Sequence, residues 1–214
     1  ITIGATVPQS SAGTCTDGLA TSAWYNGRTG KYNFSLNFDG VDDYVSAGTG
    51  SSLDFGTGAV SLSTWIKPTS LPSSLGCIAN KGNTGIGAQR GVSLCINSSG
   101  QIRLFITRDT EVSSATTATI STGTWAHIVG VDDGTTHKVY LDGQLIQNIA
   151  APTGSLTDAT IPMTIGRLGT QVSQYFPGQI DDVRVYNYAL TTDQIKTLYN
   201  GGGALRFGPA TGSP

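Results

Sequence analysis

Short apolar segments that alternate with period two, each closed by a turn signal, constrain this chain more than any other feature. In SLNFD, Leu36 and Phe38 share a face. In SLSTWIK, Leu62, Thr64 and Ile66 oppose Ser63 and Trp65, and in QIRLFITRD, Ile102, Leu104 and Ile106 oppose Arg103, Phe105 and Thr107. In WAHIVGVDD, Trp125, His127, Val129 and Val131 alternate with Ala126, Ile128 and Gly130. A strand sends successive side chains to opposite faces, so segments of this kind bury one face and pack as two facing sheets. The turns agree. Asp142-Gly143, between the apolar runs of VYLDGQLI, suits the positive φ that a two-residue hairpin demands of both central residues. Ser99-Gly100 and Gly134 mark two more hairpins. The chain therefore reads as an all-β, two-sheet antiparallel sandwich.

A single helix stands out, over residues 191–199 near the C-terminus. Thr191 with Gln194 forms a capping box, Ile195, Leu198 and Tyr199 make one apolar stripe, and Gly201 ends it. The tail GGGALRFGPATGSP, from 201, has the composition of a linker. At the other end, residues 1–33 are polar, Gly-rich and poorly periodic.

Composition excludes several functions. Charged residues make up 12% of the chain, about half the usual share, and the net charge is −2. Nucleic-acid binding needs a basic stripe, which is missing. No apolar run approaches the ~20 residues that span a bilayer. The sequence begins at Ile1 without a basic leader, so removal of a signal peptide or precursor segment is expected, with an extracellular or cell-surface location. Of three cysteines, Cys77 and Cys95 fall in neighbouring predicted strands, where a cross-strand disulfide and a pair of small buried thiols are both open readings; Cys15 is the odd one.

The segments LNFDGVDDYV, SLSTWIKP, TWAHIVGV, HKVYLDGQLI, MTIGR and GQIDDVRVYNYALTTDQIKTLYNGG stand in this order. Together they resemble laminin G-like domains of the concanavalin A-like lectin and glucanase superfamily, relatives of the pentraxins. The resemblance covers residues 34–202 and implies a two-sheet jelly roll in a secreted or surface protein. It also implies binding of glycans or proteins and, in many members, a calcium ion. One departure stands out. The family's aromatic opening strand is not found at its usual distance before FDG, because Trp24 and Tyr25 come only a few residues earlier. Residues 1–33 are thus an atypical segment, open to exchange or docking between copies, since an unfilled sheet edge can accept another molecule's strand. Residues 203–214 form the Gly/Pro-rich tail.

Two aspartate groups are the candidate metal ligands: Asp39, Asp42 and Asp43 in FDGVDDYV, and Asp181 and Asp182 in GQIDDV. Hard cations need converging oxygens, which aspartate supplies on a short tether. The resemblance brings the two strands together and implies structural calcium, with Asp39 and Asp181 the primary ligands. Turn capping is the competing reading, because Asp39-Gly40 is itself a turn dipeptide. The loop at 165–179, where pentraxins gather acids, has no acidic residue. A pentraxin-type calcium site is not expected there.

Retaining glucanase chemistry requires two carboxylates flanking one bond. This chain has one glutamate, Glu111, with Asp109 two residues before it. His127 reads as a packed strand residue and His137 as a solvent-facing one, and no nucleophile turn is evident. No enzyme activity is expected. Aromatic and amide residues suited to sugars lie in the late loop: Arg167, Gln171, Gln174, Tyr175 and Phe176, with Asn83 and Arg90 in an earlier loop. Asn33 and Asn97 fit the N-glycosylation pattern. Two functions follow. The first is a non-catalytic extracellular subunit that assembles with copies of itself into a surface layer or filament. The second is a calcium-braced adhesion module that binds glycan or a cell-surface protein. The atypical ends favour the first.

Overall fold

The computed structural model describes residues 2–4, 30–32, 35–82, 91–108, 111–156, 161–169 and 174–201. Cys15, Trp24, Tyr25, Asn33, Asn83, Arg90, Asp109, Gln171 and the tail from 203 lie outside the described residues.

The strands are β1 (Thr2–Gly4), β2 (Leu36–Asp39), β3 (Tyr44–Gly48), β4 (Val60–Pro68), β5 (Leu75–Gly82), β6 (Gly91–Asn97) and β7 (Gln101–Thr107). They continue with β8 (Glu111–Thr119), β9 (Ala126–Asp132), β10 (Thr136–Leu141), β11 (Gln144–Ala150), β12 (Met163–Ile165) and β13 (Pro177–Tyr186). One seven-stranded sheet runs β1-β3-β12-β5-β6-β7-β8, and a six-stranded sheet runs β11-β10-β9-β4-β13-β2. All pairings are antiparallel. The two sheets face each other as the alternation requires, so the jelly-roll sandwich expected from the sequence is the fold.

Between the sheets sits one apolar layer that includes Leu62, Ile66, Leu94, Ile102, Leu104, Ile106 and Ile128. Fully burying each of these side chains contributes roughly 1.5–3 kcal/mol. The hairpin between β10 and β11 forms as read, with Asp142 at φ 50° and Gly143 at φ 78°. Cys77 and Cys95 stand opposite each other in the β5–β6 register and are disulfide-bonded.

Part of the outer face of the six-stranded sheet is buried too, because the helix α1 (Thr192–Tyr199) packs there. Its Ile195, with Leu190 before it, meets Val129, Val131 and Tyr140. Thr191 caps it, its Oγ1 accepting from the Gln194 N–H while the Gln194 side chain accepts from the Thr191 N–H. No helix among the described residues is long and apolar enough to cross a membrane.

His137 departs from its expected solvent-facing position: it is fully buried. It shares a face with the core residue Val139 and stands across from Asp132 in the β9–β10 register. Asp132 is itself held by the buried Arg108 guanidinium at 2.6 Å. Burial pushes the His137 pKa down against the opposing pull of Asp132. The N-terminal segment Thr2–Gly4 pairs with β3 of its own chain, Thr2 opposite Ser46.

Candidate functional site

The two aspartate groups are set apart by the register of β13. Pro177 pairs with Asp39 and Ile180 with Leu36. Asp181 therefore lies four residues along β13 from the partner of Asp39, about 13 Å at strand rise. The expected five-aspartate site does not form. Asp39, Asp42 and Asp43 gather by themselves, each offering a carboxylate oxygen within 4.8 Å of the others. Asp181 instead accepts the Tyr32 N–H at 2.8 Å. Asp182 binds Arg184 at 2.8 Å.

The three gathered aspartates sit on the turn between β2 and β3. Asp39 Oδ1 accepts from the N–H groups of Val41 (2.7 Å) and Asp42 (3.3 Å), and Asp43 Oδ2 accepts from the Asp39 N–H (3.0 Å). Turn capping and carboxylate convergence therefore coexist. Two oxygens on one calcium, each at about 2.4 Å, stand no more than about 4.8 Å apart. The donor set is all oxygen and carries three formal charges, which suits a hard cation. It supplies only part of the six to eight ligands calcium takes, so carbonyls and water would complete the shell.

Beside this turn lies a groove of about 220 Å³, bounded by Asp39 and Gly40 on one side and by Ser70, Leu71, Pro72 and Ser73 on the other. Leu75, Gln174, Tyr175 and Pro177 form the rest of its lining. Gly40 is required here. It has φ 80°, and a Cβ at that position would come within 2.8 Å of the Pro177 side chain. Close approach of the turn to β13 thus closes one wall.

The Gln174–Phe176 stretch is fixed by its backbone. The Cys77 N–H donates to the Gln174 carbonyl at 3.0 Å, and the Phe176 N–H donates to the Gly166 carbonyl at 3.0 Å. The disulfide on Cys77 braces the strand that holds Gln174 in place. Gln174 itself sits at φ 66°, a left-handed conformation that a residue with a Cβ adopts at a cost and that clusters at ligand sites. Its Oε1 and the Tyr175 hydroxyl are buried without a hydrogen-bond partner among the described residues. Each such group costs about 1–3 kcal/mol until something pairs with it.

Of the residues named from the sequence for ligand binding, Gln174 and Tyr175 line the groove. Phe176 does not: it is fully buried in the core between the sheets. Arg167 is also elsewhere, its guanidinium 3.6 Å from the centre of the Tyr44 ring and its Nε donating to the Gly169 carbonyl at 3.1 Å. The serine-bearing wall at 70–73 was not singled out by sequence reasoning. Its signal is the polar, proline-containing composition of PTSLPSSLG between two strands. Asn97, one glycosylation candidate, uses its Oδ1 to accept from the N–H groups of Ser99 and Gln101 in the β6–β7 turn.

Comparison with known proteins follows the same lines. Residues 39–196 match a laminin G family described as the concanavalin A-like lectin/glucanases superfamily. Adhesion G-protein coupled receptor V1 of Danio rerio is 36% identical over 148 residues, or 65% of this chain, which spans 2% of that receptor's length. The binding domain of Paraclostridial Mosquitocidal Protein 1 superposes with a TM-score of 0.66 at 15% identity, over 80% of this chain and 44% of its own. Domain 4 of AbnA, an extracellular arabinanase from Geobacillus stearothermophilus in complex with arabinotriose, superposes with a TM-score of 0.64 at 22% identity, over 79% of this chain and 78% of its own. At these identities the two solved structures speak to the fold alone.

Proposed function

The chain belongs to the laminin G-like part of the concanavalin A-like lectin/glucanase superfamily, and on that premise we propose that it is a non-catalytic adhesion module whose carbohydrate ligand seats in the groove between Asp39 and Tyr175. The observation that carries this is that two residues of the lining, Gln174 and Tyr175, each hold a buried polar atom, Oε1 and the phenol hydroxyl, with no hydrogen-bond partner among the described residues. A sugar hydroxyl can donate to the first and accept from the second. Asp39 and the serines at 70 and 73 offer further partners along the same groove. The arabinotriose complex of AbnA domain 4 is an example of this fold carrying a carbohydrate, and the receptor relative supports a place outside the cell or on its surface.

Calcium belongs to this reading as a brace on Asp39, Asp42 and Asp43. When bound it would neutralise the turn's charge and stiffen the wall that Asp39 and Gly40 present. A glycosidase role has little support, because the chain's one glutamate, Glu111, lies on β8, a strand at the far edge of the seven-stranded sheet. The self-assembling subunit draws on the chain's atypical ends. Thr2–Gly4 pairs with β3 of the same chain, and the adhesion-receptor relative favours recognition over assembly.

Screening the protein on an array of neutral oligosaccharides, with and without a chelator, tests the proposal, with Tyr175→Phe as the key variant. This change removes only a hydroxyl that has no partner among the described residues. Stability is expected to hold or rise slightly, while affinity for any captured glycan falls about tenfold, near the value of one hydrogen bond to a ligand. Binding unaltered by Tyr175→Phe would place the ligand elsewhere and overturn the proposal.

A further inference from the structure

A second cavity, independent of the groove, lies on the outer face of the six-stranded sheet at the C-terminal end of α1. It has a volume of about 360 Å³ and is lined by Lys31, Tyr32, Trp65, Tyr199, Asn200 and Gly201. That size falls within the usual range for small-molecule sites, roughly 300–1,000 Å³.

Its walls are aromatic. Trp65 stacks on Tyr199 with ring centres 5.6 Å apart and planes 17° from parallel. Tyr32 meets Trp65 edge-on at 6.1 Å. Trp65 is only 2% exposed, yet its Nε1 makes no hydrogen bond among the described residues. Its polar neighbour is the Tyr32 phenol, whose pKa burial raises and contact with the Trp65 side chain pulls back down. A buried indole N–H usually finds an acceptor.

The clamp over this ring is built by Asp181, one of the two aspartates that do not join the acidic turn. A bulge breaks the β13–β4 register between Asp181 and Arg184, with Asp182 at φ 51°. Bulges re-aim side chains beside functional sites. Here Asp181, directly across from Trp65, takes the Tyr32 N–H. This contact holds the Gly30–Tyr32 stretch over the sheet. Lys31 then places its ammonium 3.9 Å from the Trp65 ring centre. Lys31 is exposed and has no ion pair among the described residues, whereas Arg184 is neutralised by Asp182. An exposed cation–π contact is weak, so an incoming carboxylate can draw the ammonium away.

We infer that this cavity binds a carboxylate-bearing pyranose, such as a uronic acid residue. The aromatic rings face its C–H groups, Lys31 pairs with the carboxylate, the Asn200 amide meets a hydroxyl, and Trp65 Nε1 donates to a ring or carboxylate oxygen.

The test is an NMR titration of the full, isotopically labelled chain with methyl β-glucuronide, and in parallel with methyl β-glucoside. A saturable shift of the Trp65 indole N–H is expected with the glucuronide. Affinity for the glucoside should be about tenfold weaker, since charge-assisted pairing is lost. Lys31→Ala, at an exposed position, is expected to erase that difference, and Lys31→Arg to preserve it. Tyr175→Phe should leave the titration unchanged, which separates this site from the groove. The inference is overturned by an absent or non-saturable shift, by equal affinity for the two sugars, by Lys31→Ala behaving as wild type, or by loss of glucuronide binding in Tyr175→Phe. An acidic or proline-rich peptide that shifts the indole while both sugars leave it still would also overturn it.

Discussion

At the Pro177 end of β13, aspartates converge, hydroxyls and an amide line an open groove, and a backbone turn makes the wall. At the Asp181 end of the same strand, aspartates disperse to a backbone N–H and an arginine, and the space between them and α1 is walled by aromatic rings. The difference comes from the partner strand. Asp39 lies on a tight turn whose own N–H groups draw the carboxylates inward. Asp181 and Asp182 lie on a bulge that points them at separate partners. The same residue type thus forms a charge cluster on a turn and a set of fastenings on a bulge.

The two ends should also differ in how they fail. Trp65→Ala is expected to have the largest effect, a loss of about 3–5 kcal/mol, because the ring is buried among Tyr32, His127 and Tyr199. Denaturant unfolding measures it. The folded fraction should keep its groove, so glycan capture at saturating stability should persist. Loss of both together would mean that the two ends of β13 are coupled.

Acid comes next. His127 donates to or accepts from Ser63 Oγ at 2.9 Å through Nε2 and lies against Trp65. Burial, aided by Arg184 and Lys31, pushes its pKa down to about 4. Between that value and the ordinary 6.5, the unfolded chain binds the proton and the folded one does not. The contribution of this histidine is therefore complete above about pH 6.5 and declines as pH falls towards 4, by about 3 kcal/mol in all. Unfolding curves across this window should show the decline in wild type and a shallower one in His127→Gln. A decline equally steep in the variant would assign it to other groups, such as His137.

Much of this molecule is legible in its sequence, for local reasons. Asp142-Gly143 makes its hairpin and Thr191 with Gln194 makes its cap through contacts within a few residues, and alternation in β4 and β9 reports a face buried between sheets. Register is not local. Nothing in FDGVDDYV or GQIDDV says that Pro177, rather than Asp181, will stand opposite Asp39, and that offset of four residues decides which carboxylates meet. The burial of His137 is similar, since it depends on the Arg108–Asp132 pair that the fold brings to it. Tyr175 and Gln174 were visible as residue types suited to sugars. Their partnerless polar atoms follow only from the backbone bonds to Cys77 and Gly166.

A smaller effect is expected from Asp181→Asn. The amide can still accept the Tyr32 N–H through its oxygen, but the charge assistance is lost, so the cost should stay near or below about 1 kcal/mol. Faster hydrogen exchange at Tyr32, with the β2–β3 turn unchanged, is the expected signature.

Calorimetric titration of calcium into wild type, Asp43→Asn and Asp181→Asn tests most directly whether the aspartates form one site or two separate structures. Saturable binding in wild type and in Asp181→Asn, abolished or weakened at least about tenfold in Asp43→Asn, is the expected result. Binding lost in Asp181→Asn, or absent from wild type, would contradict it.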